Sequence, residues 1–215
     1  MSQTDNKTTQ TNNQTVRVPV LSPDGQPLMP TLPSRARRWL RDGKAKVAHN
    51  DLGIFQIQLI SEPSGRNLQQ ISVGIDPGKK FSGVGVQSAK ATLFKCHVIL
   101  PFVNVTKKMT TRRILRRARR GRRINRNIAF NKRTHKQKRF SNRCNKKLPP
   151  SIKANRLLEL RVFKEIVKIF PVSKVFYEYV EAKGSKGFSP VMVGQKVVIE
   201  WLKSLCANVQ TRFGW

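Results

Sequence analysis

The chain has 215 residues, with 43 Lys and Arg against 11 Asp and Glu, for a formal net charge of +32. That length suits one medium domain with additions or two small ones, and a hydrophobic fraction of 38% supplies a core over part of it. The excess charge calls for a polyanion as neutraliser, and no run is apolar enough to span a bilayer, so no membrane is expected. The N-terminus reads as lacking a signal peptide, and the basic segment lacks the bulky apolar face of an interfacial helix. Cys96, Cys144 and Cys206 are odd in number and far apart. They read as scattered reduced thiols of a cytoplasmic protein, not a disulfide framework or a zinc site.

Residues 1–15 are polar and aperiodic, and read as a disordered tail. Val16, Val18 and Val20 then alternate as a strand would, and Pro23-Asp24-Gly25 supplies a turn. Pro27-Leu28-Met29-Pro30 follows. Ser34 is placed to cap a short helix through Arg35, Arg37, Arg38 and Trp39, and Gly43 to end it. Residues 44–47 and 54–60 look like further strands, the second with Phe55, Ile57 and Leu59 on one face. Residues 16–60 therefore form a small basic α+β unit, and 61–69 a linker.

A second unit starts at Ile71. Val73 and Ile75 alternate in a strand that ends at Asp76, and Gly78-Lys79-Lys80 turns into a second strand over 83–86. A third strand is expected over 91–100, making an antiparallel meander. After a long basic insertion, Leu158, Val162, Ile166, Ile169 and Phe170 recur at helical spacing. Residues 174–180 read as a strand carrying Glu178. Residues 194–207 read as a helix with Val198, Trp201, Leu202 and Leu205 on one face, and 209–215 as a last strand. The order β-β-β, basic insertion, α-β-α-β is most of a ribonuclease H-like fold, without the final helix of that fold.

From Asp76 the next acidic residue is Glu159, so the arginine segment over 112–126 has no internal counter-charge. At about 100° per residue, Arg112, Arg113, Arg116, Arg117, Arg119, Arg120, Arg122, Arg123 and Arg126 cover roughly 220° of a helical wheel. Ile114, Ala118, Gly121 and Asn125 form the remaining strip, suited to packing close to another backbone. Gly121 inside a helix costs about 1 kcal/mol relative to Ala, which predicts a close approach or a bend there. Guanidinium forks match phosphate oxygens, so the wide face is a nucleic-acid-binding surface. A disordered basic arm is the alternative, and it also binds nucleic acid.

Asp76, at a strand end before Pro77 and Gly78, is placed to hold a divalent cation; a turn aspartate is the plainer reading. Glu178, among large apolar residues of a strand expected beside that of Asp76, needs a partner, and a metal qualifies. Hard cations such as Mg²⁺ or Mn²⁺ take such oxygen ligands. Glu181 reads as a solvated strand-end acid. His49, His97 and His135 have no metal spacing, and residues 184–188 read as a flexible basic loop.

The ordered set of motifs resembles the IscB/IsrB proteins, transposon-encoded relatives of CRISPR type II effectors. Pro27-Leu28-Met29-Pro30 matches the motif naming the PLMP domain. Gly74-Ile75-Asp76-Pro77-Gly78 resembles the first RuvC segment and residues 175–180 the second. The arginine run resembles the bridge helix and matches the RRXRR pattern over 116–120 and 119–123. The resemblance implies an α/β chain with an incomplete ribonuclease H-like (RuvC) fold, in segments over 70–105 and 151–215. A bridge helix and basic connection over 106–150 would interrupt it, and a PLMP domain would precede it. It implies an RNA-guided DNA nickase, a monomeric ribonucleoprotein of structured guide RNA and target DNA. Asp76 and Glu178 would be its catalytic metal ligands, and the duplex would be read by shape. The lack of an HNH insertion after Glu178 points to the IsrB-like branch. The family's third RuvC segment, with its His and Asp, is not found before Trp215, so weak or no cleavage by this chain alone is expected. A non-catalytic nucleic-acid binder and a ribosomal-protein-like RNA binder are the competing readings.

Overall fold

The computed structural model describes residues 16–122, 125–132, 148–181, 189 and 191–213, without the side chain of Arg120. The expected tail over 1–15, Arg123, His135, Cys144 and the loop over 184–188 lie outside the described residues. The chain divides into two compact units, one of Met1–Ser72, Gly85–Lys95 and Glu165–Ser173, the other of Val73–Val84, Cys96–Lys164 and Lys174–Trp215.

In the first, strands β1 (Val18–Leu21), β2 (Pro27–Thr31), β3 (Ala45–Ala48) and β4 (Gln56–Leu59) form a sheet in the order β2-β1-β4-β3. Pro27 and Pro30 are tolerated because β2 is an edge strand, where a missing N–H breaks no ladder on the open side. A register shift between Val18 and Val20 fits β2 to β1. The core is Val18, Val20, Leu28, Ala36, Ala45 and Ile57, with Trp39, Leu40 and Leu59 packed against it. Phe55 departs from the expected pattern. It lies before β4 and is 53% exposed, so only Ile57 and Leu59 of that trio face the core.

Helix α1 (Pro33–Arg41) also starts differently from the expectation. Leu32 is the N-cap, without a side-chain cap bond, and Pro33 opens the helix. Proline's fixed φ and missing N–H suit the first helical position, which puts Ser34 inside the helix. The C-terminus is as expected. Gly43 has φ 67°, its N–H donates to the Leu40 carbonyl, and the Lys44 N–H donates to that of Trp39 at 2.8 Å.

Strands β5 (Ile71–Asp76), β6 (Phe81–Ser88), β7 (Thr92–Ile99), β8 (Val172–Tyr179) and β9 (Val209–Phe213) form a sheet in the order β7-β6-β5-β8-β9. The alternation works as the pattern predicts. Ile71, Val73 and Ile75 are buried, while Ser72, Gly74 and Asp76 take the other face. Ser173 Oγ lies 2.9 Å from the Ile71 carbonyl oxygen and 3.1 Å from its N–H, pinning the starts of β5 and β8. Strands β8 and β9 are parallel, with Glu178 opposite Arg212. Helix α4 (Gln195–Leu205) provides the crossover that parallel neighbours need. It buries Val198 and Leu202, but Leu205 is 42% exposed, not on the buried face as expected.

Helix α2 (Phe102–Arg122) carries the arginines and starts well before them. Helix α3 (Pro150–Ile169) buries Ile152, Asn155, Arg156, Glu159, Val162, Phe163, Ile166 and Ile169. Its N-terminal half thus buries polar groups, and Leu158 of the expected stripe is only half-buried. Among the described residues no helix is long and apolar enough to cross a membrane.

Candidate metal site and nucleic-acid interface

The turn after β5 is held from three sides. Any Cβ on Gly78 would collide with the carbonyl oxygen of Phe81, so the backbone there requires glycine. Asn155 Nδ2 of α3 donates to the Lys79 carbonyl at 3.0 Å, and the Leu100 N–H donates to that of Lys80 at 2.8 Å. Lys79 Nζ sits 5.3 Å from the centre of the Phe102 ring at the start of α2. The segment that presents Asp76 is therefore tied to the root of the arginine helix and to α3.

Asp76 and Glu178 come from neighbouring strands, as their places in the chain predict. Glu178 is half-buried and within hydrogen-bonding reach of Asp76. Burial first, then the Asp76 carboxyl and its charge, push the Glu178 carboxyl above the ordinary carboxylate range. Across from Asp76, a Cβ on Gly83 would lie 3.7 Å from Asp76 Oδ2, so the glycine leaves open space beside the acid. Two hard oxygen donors side by side on neighbouring strands fit a divalent cation, and Mg²⁺ commonly uses one or two carboxylates and completes its shell with water and phosphate. Among the described residues no group of three or more His, Cys, Asp or Glu could hold a metal. Glu181 is exposed past β8, and His49 and His97 are exposed; the His97 ring lies tilted against Phe81, with centroids 4.9 Å apart.

Behind the carboxylates lies a buried polar cluster that the hydrophobic periodicity does not reveal. Arg156 Nη1 donates to Glu159 Oε1 and Oε2 at 2.7 and 2.6 Å, and lies 3.3 Å from the Tyr177 hydroxyl. Ser82 Oγ is 2.9 Å from Glu159 Oε1 and 2.8 Å from the Asp76 main-chain oxygen. With one hydrogen, that hydroxyl donates to one of them at a time. Burial pushes the Glu159 carboxyl up, against the pull of Arg156. An arginine stays charged in a protein, so the buried guanidinium favours the ionised form of Glu159 against that burial. Arg156 Nε and Asn155 Oδ1 are buried without a partner. The available signal was Arg156 and Glu159 at i, i+3, in register with Ile152 and Phe163 on the apolar stripe.

Among its described side chains the arginine helix buries none: Phe102, Val105, Met109 and Gly121 are half-buried and the others exposed. Arg112, Arg113, Arg116, Arg117, Arg119 and Arg122 all face solvent. The strip expected to pack does not: Ile114 is 58% exposed, and a Cβ on Gly121 would meet nothing within 4 Å. Gly121 sits in the last turn of α2, where its helix cost is small, so the expected close approach is absent. Arg126 lies in a turn beyond the helix, which narrows the wheel's continuous face. Among the described residues no ion pair neutralises the α2 arginines.

These features define a mixed α/β protein with a carboxylate pair on adjacent strands and a solvent-facing arginine helix. The family model described as RRXRR protein matches residues 18–192, and the chain belongs to that family. No curated protein matches the sequence.

Proposed function

We propose that the protein is an RNA-guided DNA nickase of the IsrB type, gripping structured guide RNA and the guide–target duplex along α2. Asp76 and Glu178 would hold Mg²⁺ or Mn²⁺ for hydrolysis of a DNA phosphodiester. The observation that carries this reading is the approach of Asp76 to Glu178 on neighbouring strands. The sheet order β7-β6-β5-β8-β9, with helices after β7 and β8, supports a ribonuclease H-like (RuvC) core. The bound cation would polarise a phosphoryl oxygen and favour an attacking hydroxide. The chain's own residues do the rest. Exposed guanidinium groups neutralise and orient phosphates. The carboxylates fix the cation, and the glycine at 83 leaves room beside Asp76 for a strand to approach.

A binding-only reading has one observation in its favour, the absence of a third metal-binding side chain among the described residues. Purified protein with its co-purifying RNA and Mg²⁺ separates the two. Nicking of a matched DNA that Asp76→Ala abolishes supports the nickase. Retention of one structured non-coding RNA without Asp76-dependent nicking leaves binding alone. Ribosomal RNA as the bound species overturns both.

A further inference from the structure

We infer that Ser82 and the buried Arg156–Glu159 pair are positioning residues that latch Asp76 and Glu178 into one geometry. This rests on the reading of those two acids as a cation site.

The cluster touches both acids through the strands that carry them. Ser82 Oγ reaches the main-chain oxygen of Asp76 itself, at 2.8 Å. Arg156 reaches the hydroxyl of Tyr177, the residue before Glu178 on β8. Side chains alternate along a strand, so Ser82 and Tyr177 point to the α3 side of the sheet while Gly83 and Glu178 take the other. The latch therefore acts from behind and leaves the carboxylates open in front. Asn155 adds a third tie, to Lys79 in the same turn.

Every member is nearly inaccessible. Ser82, Arg156 and Glu159 are each 1% exposed, Asn155 2%, and Tyr177 0%. A buried ion pair is a poor way to gain stability, because desolvation offsets most of the attraction. It is a good way to hold two strands in register, because a network of short buried hydrogen bonds tolerates little displacement. Groups bonded to metal ligands commonly alter metal affinity 10- to 100-fold when removed.

The test uses the 215-residue chain and Mn²⁺ as probe, read by water-proton relaxation, beside amide exchange across residues 76–82. Asp76→Ala reports whether the Mn²⁺ site is the carboxylate pair. Ser82→Ala should weaken Mn²⁺ binding about tenfold and speed exchange across 76–82, with a thermal midpoint lowered by the lost buried hydrogen bonds. Ser82→Cys, which is slightly larger and keeps a weak donor, should fall between, and it decides the matter if the alanine variant does not fold. Wild-type Mn²⁺ affinity in both Ser82 variants overturns the latch, even if exchange has quickened. If Asp76→Ala leaves Mn²⁺ binding intact, the cation reading fails. The latch, which rests on that reading, falls with it, whereas wild-type affinity in the Ser82 variants beside lost binding in Asp76→Ala overturns the latch alone.

Discussion

Arg156 Nη1 lies 2.6 Å from Glu159 Oε2, and both side chains are 1% exposed. Removing one partner leaves the other as an uncompensated buried charge. Arg156→Ala is therefore expected to cost about 3–5 kcal/mol of folding stability. The double variant Arg156→Met/Glu159→Leu keeps the volume and removes both charges, and should recover most of that loss. Urea unfolding of the three proteins checks this. A double variant as unstable as the single one would contradict it.

Two glycines beside Asp76 should respond differently to a methyl group. At Gly78 a methyl group meets the Phe81 carbonyl oxygen, so the backbone must move. Gly78→Ala should destabilise by about 1–3 kcal/mol, the range for forced overpacking. At Gly83 the new Cβ would lie 3.6 Å from the Asp76 Cβ, an ordinary contact. Gly83→Ala should leave the unfolding midpoint near wild type while crowding the space in front of Asp76. Equal midpoints for the two variants would sink the distinction.

Much of this arrangement was legible in the residues. Alternation at Ile71, Val73 and Ile75 fixes which face Asp76 takes, and the order of elements brings the strand of Glu178 beside it. The start of α1 was not, because Ser34 and Pro33 both signal a helix N-terminus one residue apart and the proline prevails. The early start of α2 was hidden by Val103, Val105, Thr106, Thr110 and Thr111, residues of modest helix propensity. Periodicity assigns faces to a helix but does not say what covers them, so Ile114 was expected to pack and instead faces solvent. The Arg156–Glu159 pair escaped because a polar pair on an amphipathic helix ordinarily belongs to the wet side. Only the tertiary structure puts it against Ser82 and Tyr177.

Glu178 should make the folded chain sensitive to pH. Its carboxyl is raised on folding, by burial first and by Asp76 second. A raised carboxyl binds its proton more tightly in the folded state than in the unfolded one. That contribution to stability is full below the ordinary carboxylate range and is lost as pH rises through the raised value of Glu178. Asp76→Asn removes the neighbouring charge but not the burial, so the Glu178 midpoint should fall part of the way. A carbon-13 titration of the Glu178 carboxyl reads this directly. An unmoved midpoint in Asp76→Asn would mean that the two acids do not interact.

Arg112, Arg116 and Arg119 recur at i, i+4 and i+7 on one exposed face of α2. If that face grips phosphates, each arginine lost removes a released counterion from the binding equilibrium. Replacing all three with Ala should reduce the slope of log affinity against log salt by about 0.9 per contact on duplex, and about 0.7 on a single strand. Alanine is the best helix former, so the helix itself should persist, which circular dichroism can confirm. Ile114→Ala changes no charge and should leave the slope at wild type. Titrations of RNA and duplex DNA across a salt series measure both. A slope unaffected by the triple substitution would place the phosphate contacts elsewhere on the chain.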